Sequence, residues 1–73
     1  MARKKVISEI PGNVFRIEVA RGDRVAEDDP IIILESMKME IPIGAPIDGK
    51  VVEILVEPGE AIAEGQHVAT LEH

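Results

Sequence analysis

The sequence predicts an all-β fold, a small barrel or sandwich of short antiparallel strands made from two four-strand units. Three observations carry this. Residues 6–35 written over 43–72, at a fixed offset of 37, match without a gap, and ten of the thirty pairs are identical. Average composition would give about two, so the chain is two copies of one unit. Turn signals recur every eight to ten residues, the spacing of short antiparallel strands. No stretch of ten residues shows a helical period, and the breakers leave no room for one.

Each unit reads in order. Phe15-x-Ile17-x-Val19 alternates with Arg16 and Glu18, a period of two. Its copy, Val52-x-Ile54-x-Val56, alternates less cleanly because Leu55 takes an outward position. The turns Arg21-Gly22-Asp23 and Pro58-Gly59-Glu60 follow, with glycine where a positive φ is expected. Val25 and Ile62 come next, then the turns Glu27-Asp28-Asp29-Pro30 and Glu64-Gly65-Gln66. Ile31-Ile32-Ile33-Leu34 and Val68-Ala69-Thr70-Leu71 are short apolar runs that close each unit. The expected core is Val14 or Phe15, with Ile17, Val19, Ile31, Ile33, Val52, Ile54, Val56, Val68 and Leu71. Pro42 and Pro46 are expected to protect an edge strand.

Composition narrows the function. Seventy-three residues allow one domain, with a net charge of −6, no cysteine and a single aromatic residue, Phe15. A core this small usually leaves about 3–5 kcal/mol of net stability. Little fold remains to bury catalytic machinery, so no catalytic residue is assigned. Without cysteine there is no thiolate metal site and no thiol nucleophile. His67 and His73 show no ligand spacing, and Glu27-Asp28-Asp29 lacks the ligand pattern of a calcium loop. It reads as a solvated turn, and no metal site is assigned. The acidic balance and the lack of stacking aromatics argue against nucleic acid. No apolar run is long enough to cross a membrane as a helix, and the basic start is not a signal peptide. The expected location is the cytoplasm.

The repeat also singles out one residue. Between the two copies lies Ser36-Met37-Lys38-Met39-Glu40. Adding 37 to 38 passes the C-terminus, and subtracting 37 gives residue 1. A pseudo-twofold therefore exchanges Lys38 with the chain ends, placing the lysine at one end of the domain and the termini at the other. No Asn-Gly or Asp-Gly marks a tight turn there. Alternation would set Met37 and Met39 on one face and Lys38 on the other.

Glu35-Ser36-Met37-Lys38-Met39-Glu40 resembles the attachment motif of biotinyl domains, usually Ala-Met-Lys-Met or Ser-Met-Lys-Met. The glycine turns at Gly22 and Gly59 resemble the hammerhead turns of biotinyl and lipoyl domains. The likeness covers about residues 6–72 and is greatest to small biotin/lipoyl attachment proteins and to the C-terminal domain of biotin carboxyl carrier proteins. It implies a flattened barrel of two four-stranded antiparallel sheets, a barrel-sandwich hybrid, with Lys38 at a hairpin tip. The whole chain, 1–73, would be one carrier domain with repeat units 6–35 and 43–72 and attachment hairpin 36–40.

The resemblance implies that biotin is joined covalently to Lys38 by a biotin protein ligase. The arm would then take carboxylate from a biotin carboxylase to a carboxyltransferase. Met37 and Met39 would form an adaptable apolar collar read by the ligase. Glu35 and Glu40 would add charge selectivity, and Ser36 stands where alanine is more usual. Some carriers hold a protruding thumb in the first repeat. The gap-free offset leaves no room for it, which shifts the likeness toward acyl-CoA and pyruvate carboxylase domains. The domain is expected to be monomeric in isolation. Two rival readings stay open: a lipoyl carrier of a 2-oxo acid dehydrogenase-type system, with lipoate on the same lysine, and an unmodified hairpin domain that packs on a partner.

Overall fold

Four turns of one design set the path of the chain. In each, the backbone N–H of the fourth residue donates to the carbonyl of the first, and the fourth side chain accepts from the N–H of the first. Asp23 closes this loop on Ala20 at 3.0 and 2.9 Å, and Glu60 closes it on Glu57 at 3.1 and 3.1 Å. Asp29 does the same on Ala26 at 3.0 and 2.9 Å, as does Gln66 on Ala63 at 3.1 and 2.9 Å. The third residue of each has positive φ: Gly22 at 99°, Gly59 at 89°, Gly65 at 83° and Asp28 at 72°. Asp29 is thus a turn-closing side chain.

At Gly22 an added Cβ would meet nothing within 4 Å, so the backbone conformation alone sets the cost of a side chain. Gly22→Ala is expected to lower stability by about 1–2 kcal/mol, read as a shift of the urea midpoint without a change in slope.

The computed structural model describes residues 2–73. Between the turns run eight strands: β1 (Arg3–Ile7), β2 (Gly12–Ile17), β3 (Arg24–Val25), β4 (Pro30–Ser36), β5 (Met39–Gly44), β6 (Gly49–Ile54), β7 (Ala61–Ile62) and β8 (His67–Glu72). They form two four-stranded sheets with strand orders β1-β8-β6-β3 and β5-β4-β2-β7. Every pairing is antiparallel, and no described residue is helical. The fold expected from the sequence is the fold observed. Shifting by 37 residues carries one sheet onto the other, strand for strand, and the short strands β3 and β7 each pair in the sheet of the other repeat.

The symmetry extends to the irregularities. Phe15 in β2 and Val52 in β6 are each the extra residue of a β-bulge, and they are 37 apart. Ile31 and Val68 are a second such pair. A bulge breaks strict alternation, and here it corrects the expected core. Val14 and Val51 turn inward at 3% and 0% exposure, whereas Phe15 is 44% exposed and Val52 only half-buried. The second bulge lets Ile31 and Ile32 both join the core on adjacent positions, with Leu34, Val56, Val68 and Leu71. Ile17, Val19 and Ile54 are partly buried against it. Ile33 is buried outside that cluster. Val6, Val25, Ile43, Ala45, Ile62 and Ala69 complete the core and were not expected: Val25 and Ile62 sit in two-residue strands, Ala69 follows a bulge, and Ala45 lies beyond the end of β5. Pro42 lies in edge strand β5, and Pro46 just beyond it.

Candidate functional site: the β4–β5 hairpin

Strands β4 and β5 pair through Glu35↔Glu40 and finally Ser36↔Met39. Only Met37 and Lys38 remain to make the turn. Both have positive φ, 51° and 65°, which is the backbone of a two-residue type I′ turn. Asn-Gly normally fills this turn because left-handed φ costs other residues energy. Here a methionine and a lysine occupy it, so the tip carries local strain at its most exposed point.

The side chains follow from the turn. Met37 is 92% and Met39 63% exposed, and Lys38 is exposed. The expected alternation, with both methionines on one face and Lys38 on the other, does not hold. Met37 and Lys38 are adjacent turn residues, and Met39 already belongs to β5. Ser36 is half-buried at the end of β4. Glu35 and Glu40 face each other directly across the hairpin, and both are exposed. Like charges so placed repel. The Arg16 Nη2 atom lies 4.0 Å from Glu40 Oε1 and offsets part of that repulsion. Among the described residues no carboxylate is within ion-pair distance of the Lys38 amine.

The equivalent place in the other repeat is where the chain ends meet. Arg3↔Glu72 repeats the register of Glu40↔Glu35. Beyond it, Ala2 N–H donates to His73 O at 2.9 Å and His73 N–H to Ala2 O at 2.8 Å, as Ser36 and Met39 pair at the hairpin. One end of the 37 Å long molecule is thus closed by Met37-Lys38 and the other holds Ala2 and His73. A surface groove runs between edge strands β1 and β5. It is lined by Lys4, Ile7, Ile41 and Pro42, and not by Met37, Lys38 or Met39. The hairpin therefore offers an accessible amine on a two-stranded frame. An exposed nitrogen nucleophile is what a covalently attached cofactor needs, and the residues present fit one.

Such a frame, two short-stranded sheets lifting one lysine clear of the surface, defines an attachment domain. The family model described as "Biotin-requiring enzyme" matches residues 5–71, and the chain belongs to that biotin/lipoyl attachment family. It is 38% identical over 66 residues to the biotinylated protein TB7.3 homolog of Mycobacterium leprae, spanning 90% of this chain and 93% of that protein. It is 37% identical over 65 residues to pyruvate carboxylase of Staphylococcus aureus, spanning 89% of this chain but 6% of the enzyme. The structure superposes on the urea carboxylase of Kluyveromyces lactis with a TM-score of 0.93 at 35% identity, covering 99% of this chain and 6% of that one. The chain therefore spans nearly all of one small relative and a small part of two large enzymes.

The attachment motif pointed sequence reasoning to Lys38. It did not reveal the left-handed pair at Met37 and Lys38, since turn residues that would announce it are missing. The one available signal was indirect: symmetry placed a chain reversal there, and no glycine served it.

Proposed function

We propose that this chain is a biotin carboxyl carrier, with biotin attached to the Nζ of Lys38. The observation that carries the reading is the exposed lysine at the tip of a two-residue turn, flanked by exposed Met37 and Met39. Its membership of the family and the names of its relatives support it. The side chain of Lys38 must lose a proton to attack an activated carboxyl group, and the ligase supplies the base. Amide formation removes one positive charge, taking the chain from −6 to −7. Bound biotin would supply the carboxyl-carrying chemistry. The protein's part is to hold the point of attachment on a frame that does not yield. Two neighbouring active sites can then be served from one tether, at an effective concentration in about the millimolar range.

The partners in this reading are a biotin protein ligase, a biotin carboxylase and a carboxyltransferase, and the chain itself is monomeric and non-catalytic. The connections of the first repeat match those of the second in length, with no thumb segment among the described residues. This supports a carboxylase of the acyl-CoA or pyruvate type. Met37 and Met39 serve ligase recognition, with Glu35 and Glu40 adding charge and Ser36 packing at the strand end.

Intact mass tests the reading. Co-expressed with a biotin protein ligase, the chain is expected to gain one biotinyl group, and Lys38→Ala none. A gain only with a lipoate ligase would move the chain to the lipoyl carriers. No gain with either, on a folded chain, would leave an unmodified interaction domain.

A further inference from the structure

The two sheets are copies, so the outer face of each is an internal control for the other. Whatever the fold requires at a position, it requires at both. Beside the attachment hairpin, the outer face of the β5-β4-β2-β7 sheet carries Phe15 and the cross-strand row Arg16↔Ile33↔Pro42. Their counterparts 37 residues away are Val52, Glu53, Thr70 and Lys5, and three of these form the row Glu53↔Thr70↔Lys5. The hairpin face thus carries Phe15, Ile33 and Pro42 where the other carries Val52, Thr70 and Lys5, with Ile33 buried beneath its neighbours, and the exchange runs the other way at Glu18, whose counterpart Leu55 is 42% exposed.

The polar face is hydrogen-bonded along its strands. The Thr70 hydroxyl donates to Glu53 Oε1 at 2.9 Å and lies 2.8 Å from His67 Nε2, and Glu72 pairs with Arg3 at 3.8 Å. On the hairpin face Arg16 pairs with Glu18 and lies 4.0 Å from Glu40 Oε1, and Phe15 and Glu35 are left over. Phe15 is 44% exposed under the Arg16 guanidinium, which sits 5.3 Å from the ring centre. Glu35 meets no cation among the described residues. Since the fold accepts valine in place of Phe15, it does not demand an exposed aromatic ring there, whereas Pro42 and Lys5 both guard edge strands. Phe15, Ile33 and Pro42 stand on the face that continues into the acidic pair Glu35 and Glu40, beside the attachment turn.

We propose that this face, centred on Phe15, is the docking surface for the biotin protein ligase, which meets it with an apolar patch rimmed by basic side chains. The inference rests on the carrier reading above. Reach selects the ligase among the partners. The enzyme must bring its active site to the unmodified lysine, within one side chain's length of the turn. The flank of the hairpin then has to touch the enzyme, and Phe15 lies two to three strand residues, about 7–10 Å, from the end of β4. After attachment the longer arm frees the body of the domain from that constraint. Exposed aromatic groups inside a charged rim are the usual anchors of such contacts, and the acidic pair Glu35 and Glu40 calls for positive charge opposite.

The test is steady-state labelling of the chain by a purified biotin protein ligase with ATP and biotin. Phe15→Ser is expected to raise the KM for the chain about tenfold with little change in kcat. Its symmetry mate Val52→Ser on the other face is expected to leave KM within about twofold. The double change Glu35→Gln with Glu40→Gln should raise KM severalfold at low salt, and the difference should fade near 0.5 M salt. Thermal unfolding of each variant confirms that the fold persists. Equal effects of Phe15→Ser and Val52→Ser, or no effect of either on a labelled wild type, would overturn the docking face while leaving the carrier reading intact. A wild type that takes no biotin would overturn both.

Discussion

Replacing Met37 by Asn and Lys38 by Gly is expected to stabilise the fold by about 1–2 kcal/mol while abolishing labelling. Both residues now hold positive φ, at 51° and 65°, a conformation that costs an ordinary side chain about 1–2 kcal/mol. Asn-Gly is the preferred filling of a two-residue type I′ turn. The flexibility that glycine adds to the unfolded chain takes back part of the gain, about 0.5–1 kcal/mol. Neither native side chain is lost from the core, because both are exposed. Urea unfolding of the unlabelled chain measures the change. A double variant no more stable than wild type would show that the turn carries no strain. Stability would then rise where function falls, the trade expected of a strained functional turn. Met37→Asn alone separates the parts: it should keep Lys38 available, gain a few tenths of a kcal/mol, and lose labelling rate only as far as the ligase reads the methionine.

The second large effect concerns the core. Leu34→Ala and Leu71→Ala occupy equivalent positions in the two repeats, and both leucines are fully buried. Large-to-small changes at such sites cost about 2–5 kcal/mol. A domain of this size has about 3–5 kcal/mol to lose. Each variant is therefore expected to be largely unfolded at 37 °C, seen as loss of the β-sheet circular dichroism signal. Because the sheets are symmetric, the two unfolding free energies should fall by amounts within about 1 kcal/mol of each other. Leu34 lies three residues from the turn and Leu71 at the opposite end. Labelling in the fraction that remains folded should distinguish them: a stability effect alone lowers both equally. If one variant keeps nearly wild-type stability, the shared-core account of the two repeats is wrong.

Legibility from the sequence followed the range of the interactions. The offset of 37 residues, the paired glycines and the alternation of short apolar runs are written locally, and they fixed the class of fold and its internal symmetry. The position of Lys38 between the repeats pointed to the tip of the molecule, and the motif around it pointed to the chemistry. These features depend on turn preference and period, which neighbouring residues set by themselves.

Only the tertiary structure decided which of two adjacent residues turns inward. Phe15 and Val52 gave way to Val14 and Val51 because each sits on a bulge, and a bulge arises from the register between strands distant in sequence. The same holds at the hairpin. Pairing of Ser36 with Met39 forces Met37 and Lys38 into a conformation their side chains disfavour, and cross-strand register, not local propensity, imposes it. The sequence by itself determined what the chain presents. The packing of two sheets determined how it is held, because the strain and the bulges exist only once the strands have met.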